Sequence, residues 1–292
     1  MESIDILTYL KNNLDTFSKR QKLIASYILE NYDKAAYMTA AALSETIGVS
    51  ESTVVRFAAE IGFLGYPQMQ KRLRQLTVTQ STSLKRMEIA SRHLDDENIL
   101  SSVLKSDVSM IEHTLEDIDK VQFDSSVNAI LKAKNIYITG VRSAASLATF
   151  TDFYLRLMFD NTKLISSADP ADMFEQAMHI DENDVIIGMS FPRYSKNMIK
   201  LLEYASKRGA TVIGITDSIT SPIVRVSNYS LIAKSDMNSF VDSLVAPFSV
   251  VNALIAALGM KKREQIRNTF ENLENIWDEY EVYDKEWKKL LL

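Results

Sequence analysis

Two short segments of this sequence combine serine hydroxyls with arginine, a set of side chains suited to binding an anion. The first segment contains Arg142 and Ser143, and the second contains Ser190, Arg193 and Ser195. A hydroxyl is a short hydrogen-bond donor, and a guanidinium can bind two phosphate oxygens at once. These residue types predict an effector site for a phosphate or a similar anion. The alternative is that the serines cap helices and the arginines form surface ion pairs.

A second polar group lies in the segment 39–61, on the outer side of a predicted helix. Its candidate DNA-binding residues are Ser50, Glu51, Ser52, Thr53 and Arg56. They fall away from the apolar stripe of Val54, Phe57 and Ile61, which has the three- and four-residue spacing of a helix face. Arginine is the commonest specific partner of guanine in the major groove. The pattern predicts that this face meets the edges of DNA bases.

The segment 39–61 has the arrangement of a helix-turn-helix. Small and apolar residues up to Ile47 form the first helix, and Gly48 supplies a turn that requires a positive φ. Ser50 then stands where a serine caps a second helix. A glycine turn, a buried seam and a polar outer face are what this DNA-binding motif needs. The alternative is an ordinary helical hairpin with a solvated face.

Net charge is −5, but the charge is unevenly distributed. Residues 1–76 carry nine Lys/Arg and eight Asp/Glu, a net of +1, which leaves −6 for the remainder. Because phosphate contacts supply much of the affinity for DNA, positive charge must be concentrated locally. The candidates are Lys19, Arg20, Lys22, Arg56, Lys71, Arg72 and Arg74. The alternative for each cluster is a solvated helix face.

Composition excludes several other classes of protein. The sequence has no cysteine, and its three histidines (His93, His113 and His179) show no metal-ligand spacing. It has no phosphate-binding glycine loop of the nucleotide type, and no acid–base pair can be named. The charged start is unlike a signal peptide, and no run reaches about 18 apolar residues. We therefore expect a cytoplasmic protein with no metal, cofactor, catalytic residue or membrane partner.

Helical periodicity dominates the first part of the chain. Two helices within residues 4–34 precede the helix-turn-helix, and Pro67 suits the first turn of a further helix over 68–77. The predicted boundaries are a DNA-binding domain over 1–77, a Ser/Thr-rich linker over 78–94 and a second domain over 95–292. The second domain is predicted to begin with a helix over 95–117.

Short apolar strands alternate with helices in the second domain. The strands are predicted at 135–139, 163–166, 184–189, 211–216 and 229–233, and the helices at 144–159, 170–179, 196–208, 240–259 and 261–290. This alternation predicts an α/β domain with a mostly parallel sheet flanked by helices. Ligands of such sheets bind beyond the carboxyl ends of the strands, where both Ser/Arg segments fall. Each segment also precedes a helix, whose N-terminus favours an anion.

Nearly the whole chain resembles the RpiR family of bacterial transcriptional regulators. The resemblance rests on IGVSESTVVRFAAEIGFLGY, residues 47–66, and on IYITGVRSAASLATF and DVIIGMSFPRYSKNMIKLLEYASKRGATVIGITD in the second domain. The family joins a helix-turn-helix domain to a SIS (sugar isomerase) domain. Many SIS domains carry Ser-x-Ser-Gly-x-Thr in the second loop, whereas this chain keeps Ser190 and Ser195 around Pro192 and Arg193.

The resemblance implies a regulator that binds double-stranded operator DNA and is controlled by a phosphorylated sugar or a related metabolite. It also implies a homodimer or a dimer of dimers. Two alternatives stay open on the sequence. One is a phosphosugar isomerase with an appended helical domain, and the other is a SIS domain that has lost its ligand and serves only in dimerisation.

Overall fold

The structure is a computed structural model that describes residues 6–80, 98–167, 169–237 and 240–283. The chain divides into two compact units, Met1–Arg92 and His93–Leu292. The first unit is helical and the second is α/β. The predicted fold class, a helix-turn-helix domain followed by a SIS-like α/β domain, is confirmed.

Five α-helices are described in the first unit: α1 (Ile6–Asn13), α2 (Lys19–Ala35), α3 (Ala40–Ile47), α4 (Glu51–Glu60) and α5 (Tyr66–Gln80). Their apolar faces meet in one core, whose fully buried side chains include Leu10, Ile24, Ile28, Leu43, Val54, Met69 and Leu73. The rings of Phe17 and Phe57 pack edge to face with their centroids 5.4 Å apart. This core fixes α4 against the rest of the unit.

Local capping sets the bend between α3 and α4. The Thr39 hydroxyl accepts a hydrogen bond from the Ala42 N–H at 3.1 Å and so begins α3. Gly48 ends the helix in the left-handed conformation, with φ of 78° and ψ of 36°. A side chain at this φ is strained, which explains the glycine that the sequence places there.

Helix α5 anchors the connection between α2 and α3. The Tyr66 hydroxyl and the Gln70 amide both donate to the Met38 carbonyl at 2.6 Å, and Arg74 Nε donates to the Ala36 carbonyl at 2.9 Å. These donors are four residues apart along the helix and therefore share one face. Arg74, a candidate for contacting phosphate, is thus held by the fold of its own unit.

The α5 helix extends to Gln80, three residues into the segment predicted as a linker. The helical backbone hydrogen bonds continue past the buried Leu76, and such continuation overrides the weak helix propensity of a Thr/Val/Thr run. Residues 81–94 of the predicted linker lie outside the described residues.

The second unit begins with α6 (Ile99–Asp117) and α7 (Lys120–Lys132), and the sequence analysis assigned no element to α7. Five strands then alternate with helices. The elements are β1 (Ile136–Gly140), α8 (Ala144–Leu155), β2 (Thr162–Ile165), α9 (Pro170–Ala177), β3 (Val185–Met189), α10 (Lys196–Lys207), β4 (Thr211–Thr216), β5 (Tyr229–Ile232), α11 (Val245–Lys261) and α12 (Arg263–Glu279). The sheet order is β2-β1-β3-β4-β5, and every pairing is parallel.

Both faces of this sheet are buried. Every residue of β1 and β3 is buried, and apolar cores lie on either side of the sheet. The sequences of such strands are continuous runs of apolar residues because helices cover the sheet on both sides. The predicted helix over 240–259 begins later, at Val245, which places Pro247 in the first turn. Proline is tolerated there because the N–H that it lacks has no helical acceptor.

The predicted helix over 261–290 begins at Arg263 and ends at Glu279, and residues 284–290 lie outside the described residues. Among the described helices, none is by itself long and apolar enough to span a membrane. Helices α11 and α12 meet the length and composition test only as a pair bent by 95°.

Candidate functional site

The outer face of α4 presents the residues that the sequence analysis singled out for DNA. Ser50, Glu51, Ser52 and Arg56 are exposed and Thr53 is partly exposed, whereas Val54 and Phe57 of the same helix are buried. The five candidates therefore all lie at the N-cap or in the first two turns of α4, and none of them is buried. Val55, which is 41% exposed, lies among them and was not predicted. It offers an apolar contact of the kind made with a thymine methyl group.

Hydroxyl groups cluster at the start of α4. The Ser50 hydroxyl lies 3.0 Å from that of Ser52 and 2.7 Å from that of Thr53. Ser50 occupies the capping position, but its hydroxyl does not cap a backbone N–H as predicted. The Ser50 hydroxyl instead pairs with the hydroxyls of Ser52 and Thr53. The first N–H groups of α4 therefore lack a side-chain cap, and a phosphate oxygen can bind there.

Arg56 is folded back along its own helix. Its Nε donates to the Ser52 carbonyl at 3.2 Å, and the side chain remains exposed. Lys19, Arg20 and Lys71 are also exposed in this unit.

The two Ser/Arg loops lie at the point where the strand order of the sheet reverses. Strand β1 is followed in the chain by β2 on one side, whereas β3 pairs on the other side of β1. Gly140, the last residue of β1, pairs with Met189, the last residue of β3. The loops therefore leave neighbouring strands at the same level. A crevice outside such a reversal point is where open α/β sheets bind ligands.

The first loop is shaped by a close approach of strand and helix. A Cβ on Gly140 would lie 2.4 Å from the Ala144 carbonyl oxygen, so only glycine fits at the end of β1. Arg142 adopts a positive φ of 58°, and both Arg142 and Ser143 are exposed. The Ser143 side chain makes no capping hydrogen bond, which removes the structural alternative proposed for that serine.

The second loop has a buried floor and an exposed rim. Ser190 is 4% exposed, and its carbonyl accepts a hydrogen bond from the Thr216 hydroxyl at 2.8 Å. Phe191 is buried beside it, whereas Arg193 is exposed. The Ser195 hydroxyl accepts a long hydrogen bond of 3.4 Å from the Met198 N–H and so caps α10. The capping alternative therefore applies to Ser195.

A third loop, which follows β4, borders the second loop and was missed by the sequence analysis. The Tyr194 hydroxyl donates to Asp217 Oδ1 at 2.8 Å, and the Thr216 hydroxyl lies 2.8 Å from that of Ser221. Burial raises the pKa of Asp217 to about 6, although hydrogen bonding by Tyr194 opposes the shift. The position of Asp217 directly after a strand was the signal that could have identified it.

The loops combine donors for an anion with a carboxyl group that accepts hydrogen bonds. Arg142, Ser143 and Arg193 lie on the exposed side, and the N-termini of α8 and α10 follow directly. Asp217 lies at the end of the neighbouring strand β4. This set of side chains suits a ligand that combines a phosphate with hydroxyl groups.

The two histidines within the described residues, His113 and His179, lie in different parts of the second unit. His113 Nδ1 lies 2.7 Å from the Ser109 carbonyl on its own helix, His179 is exposed, and His93 lies outside the described residues. Over residues 6–80, 98–167, 169–237 and 240–283, no cluster of His, Asp or Glu could hold a metal ion.

Comparisons with known proteins cover both units. The family model for the helix-turn-helix domain of the rpiR family matches residues 4–80, and the model for the SIS domain matches residues 129–257. The chain is 26% identical over 245 residues to an uncharacterized HTH-type transcriptional regulator of Haemophilus influenzae, covering 79% of this chain and 80% of that one. It is 23% identical over 276 residues to the HTH-type transcriptional regulator HexR of Escherichia coli, covering 92% and 93% of the two chains.

Among solved structures, the Vibrio vulnificus NanR protein complexed with ManNAc-6P has the same fold. The TM-score is 0.57 at 20% identity, over 94% of this chain and 99% of that one. The two matched domains occur in the order that the sequence resemblance predicted, and the related proteins are named as transcriptional regulators. The chain therefore carries a helix-turn-helix domain of the rpiR family, followed by a SIS domain.

Proposed function

We propose that this protein is a cytoplasmic transcription regulator whose α4 helix reads operator DNA and whose SIS domain binds a sugar phosphate. The observation that carries the proposal is the pairing of Gly140 with Met189, because it starts the two Ser/Arg loops side by side at the reversal point of the sheet. The chain thus combines a DNA-reading face in one domain with an anion crevice in the other.

The DNA half of the proposal is supported by the exposure of Ser52 and Arg56 and by the uncapped start of α4. The hydroxyls and Arg56 suit base edges, whereas the N–H groups suit a phosphate. Phosphate contacts position the helix and base contacts specify the sequence. A homodimer would place two such helices on an inverted repeat with half-sites about 34 Å, or a multiple of it, apart.

The ligand half is supported by the two arginines, the free hydroxyl of Ser143 and the two helix N-termini around the crevice. The NanR protein of V. vulnificus, which shares the fold, is complexed with ManNAc-6P. We propose the same class of ligand here, an anionic sugar phosphate. Regulation follows if the ligand binds more tightly to one arrangement of the dimer than to another, since only differential affinity shifts an equilibrium.

The test is a titration of the DNA upstream of this gene with the purified full chain, followed by fluorescence anisotropy. We expect specific binding that changes when a sugar phosphate is added and does not change with the unphosphorylated sugar. A parallel assay for turnover of the same sugar phosphates should show none. Turnover without specific DNA binding would establish the isomerase alternative instead.

A further inference from the structure

Helix α6 has two different faces. The face toward its own domain is partly polar: Met110 and Thr114 are buried, and Asp107 accepts a hydrogen bond from the Ser243 hydroxyl at 2.7 Å. The Thr114 hydroxyl oxygen accepts a hydrogen bond from the Lys234 N–H at 2.9 Å. These contacts fix the rotation of α6 about its own axis and so determine which residues point outward.

The outward face of α6 is more apolar than the buried one. It carries a stripe of large aliphatic residues: Leu100, Leu104, Val108, Ile111 and Leu115. Their exposed fractions run from 37% at Ile111 to 76% at Leu115. Helices of globular proteins normally turn such a stripe toward a core and keep polar residues outside. The reversed arrangement on α6 indicates that this stripe packs against a partner.

We infer that the outward face of α6 pairs antiparallel with the same face of a second copy of this chain. The inference rests on the homodimer of the proposed function and specifies the surface that forms it. The spacing of Leu104, Val108, Ile111 and Leu115 is four, three and four residues, which is that of a two-helix seam.

Symmetry about one point supports the antiparallel direction. Val108 and Ile111 are centred on a point between Ser109 and Met110, and Leu104 and Leu115 are centred on the same point. A two-fold axis through that point sets Leu104 opposite the partner's Leu115 and Val108 opposite the partner's Ile111. Such a self-complementary contact closes as a dimer.

The positions of charged residues are a second, independent reason to expect an antiparallel pair. Lys105 and Glu112 are exposed along one flank of the stripe, and they are centred within one residue of the same point. The antiparallel pair therefore places each Lys105 beside the partner's Glu112, and it makes this contact twice. A parallel pair would bring Glu112 toward the flank that carries the partner's Asp107, which is also acidic.

Cysteine cross-linking tests the direction, because the sequence contains no cysteine. Leu104 and Leu115 are 11 residues apart, about 16 Å along a helix. A disulfide needs Cα atoms within about 7 Å. On mild oxidation, a mixture of full-length Leu104→Cys and Leu115→Cys chains should cross-link, whereas Leu104→Cys alone should not. Cross-linking by Leu104→Cys alone, or no cross-link in the mixture, would overturn the antiparallel pairing.

Sedimentation of the full chain tests the surface itself. Val108→Asp should weaken self-association by about 100-fold or more, because it places a charge at the centre of the contact. Val121→Asp, an equally drastic change at an exposed valine on α7, should leave association unchanged. Equal association of both variants and the unchanged protein would overturn the inference.

Charge reversal completes the test. Lys105→Glu and Glu112→Lys should each weaken the dimer by about 10-fold at low salt, and the double variant should recover most of the loss. A double variant as weak as the single ones would contradict the pairing. Binding of DNA and of sugar phosphate is measured on the same samples. Specific binding by a chain whose dimer ignores these substitutions would reject this interface and leave the proposed function standing.

Discussion

The Tyr194 hydroxyl donates a hydrogen bond of 2.8 Å to Asp217 Oδ1, and this bond joins the loop after β3 to the loop after β4. The loop after β3 carries Ser190, Arg193 and Ser195, so the bond helps to position three of the five residues proposed for the effector site. Asp217 is buried enough to raise its pKa to about 6. The position of the second loop and the protonation of one carboxyl are therefore linked.

This linkage predicts how the stability of the SIS domain varies with pH. The folded state holds the Asp217 proton more tightly than the unfolded chain does, because the pKa rises from 3.8 to about 6 on folding. Stability contributed by the protonated group is present below pH 3.8 and is lost as pH rises toward 6. Asp217→Asn keeps an acceptor for Tyr194 and cannot ionise. We expect it to be more stable than the unchanged protein at pH 7.5, by up to about 3 kcal/mol, and equal near pH 4.

Urea unfolding at four pH values measures this difference. Both tryptophans of the chain lie in the second unit, so their fluorescence follows that unit. Comparing the two proteins at each pH cancels the titration of other groups, such as Asp172 and Asp181, whose pKa values are lowered by hydrogen bonds. Parallel pH profiles for the two proteins would contradict the assignment to Asp217.

The close approach at Gly140 gives a second prediction. Gly140→Ala should destabilise the SIS domain by about 1–3 kcal/mol, because the added Cβ would lie 2.4 Å from the Ala144 carbonyl oxygen and backbone must move to relieve it. The control is Gly259→Ala on α11, where the nearest atom, Ile266 Cδ1, would be 3.4 Å away. That change should be neutral or stabilising, since alanine favours a helix. Equal unfolding midpoints for the two variants would show that the strand end can adjust.

The spacing of apolar residues in the sequence predicted those features of the fold that depend on which residues are buried. The alternation of apolar strands with helices gave the α/β domain, and the stripe of Val54 and Phe57 gave the correct outer face of α4. Hydrogen bonds between residues far apart in the sequence could not be predicted from this spacing. Arg74 appears in the sequence as part of a basic cluster, but the Ala36 carbonyl, 38 residues away, accepts its hydrogen bond.

The same distinction holds for the candidate effector site, of which one part was predictable from the sequence and another part was not. The positions of Ser190 and Arg193 at a strand end follow from the pattern, whereas the contact of Tyr194 with Asp217 requires β3 and β4 to pair. The predicted capping of α4 by the Ser50 hydroxyl is not observed, because that hydroxyl lies within hydrogen-bonding distance of the Ser52 and Thr53 hydroxyls instead.

The third prediction concerns DNA. Arg56→Ala should lower affinity for the operator by about 1–3 kcal/mol and reduce discrimination between sequences, as expected for an arginine that contacts a base. Folding should be unaffected because Arg56 is exposed and lies off the apolar stripe. The matched control is Arg263→Ala on α12, which removes one positive charge from the other domain. Gel-shift titrations with operator and scrambled DNA measure both effects, and equal operator affinity for the two variants would remove Arg56 from the site.

The last prediction tests the effector site through Arg193 and Ser190, with a control on helix α10, which follows their loop. Arg193→Ala removes a charge from the exposed rim of the crevice, and Ser190→Ala removes a hydroxyl from its buried floor. Lys207→Ala removes an exposed charge from the far end of α10, away from the anion crevice. A ligand at 100 times its Kd stabilises a protein by about 2.7 kcal/mol.

In thermal-shift measurements, a sugar phosphate should therefore raise the melting temperature of the unchanged protein and of Lys207→Ala alike. Both variants within the crevice should lose most of that rise while still binding operator DNA, since α4 lies in the other domain. An equal rise for Arg193→Ala and Lys207→Ala would place the anion elsewhere. A rise in none of the four proteins would instead favour a SIS domain that serves only in dimerisation.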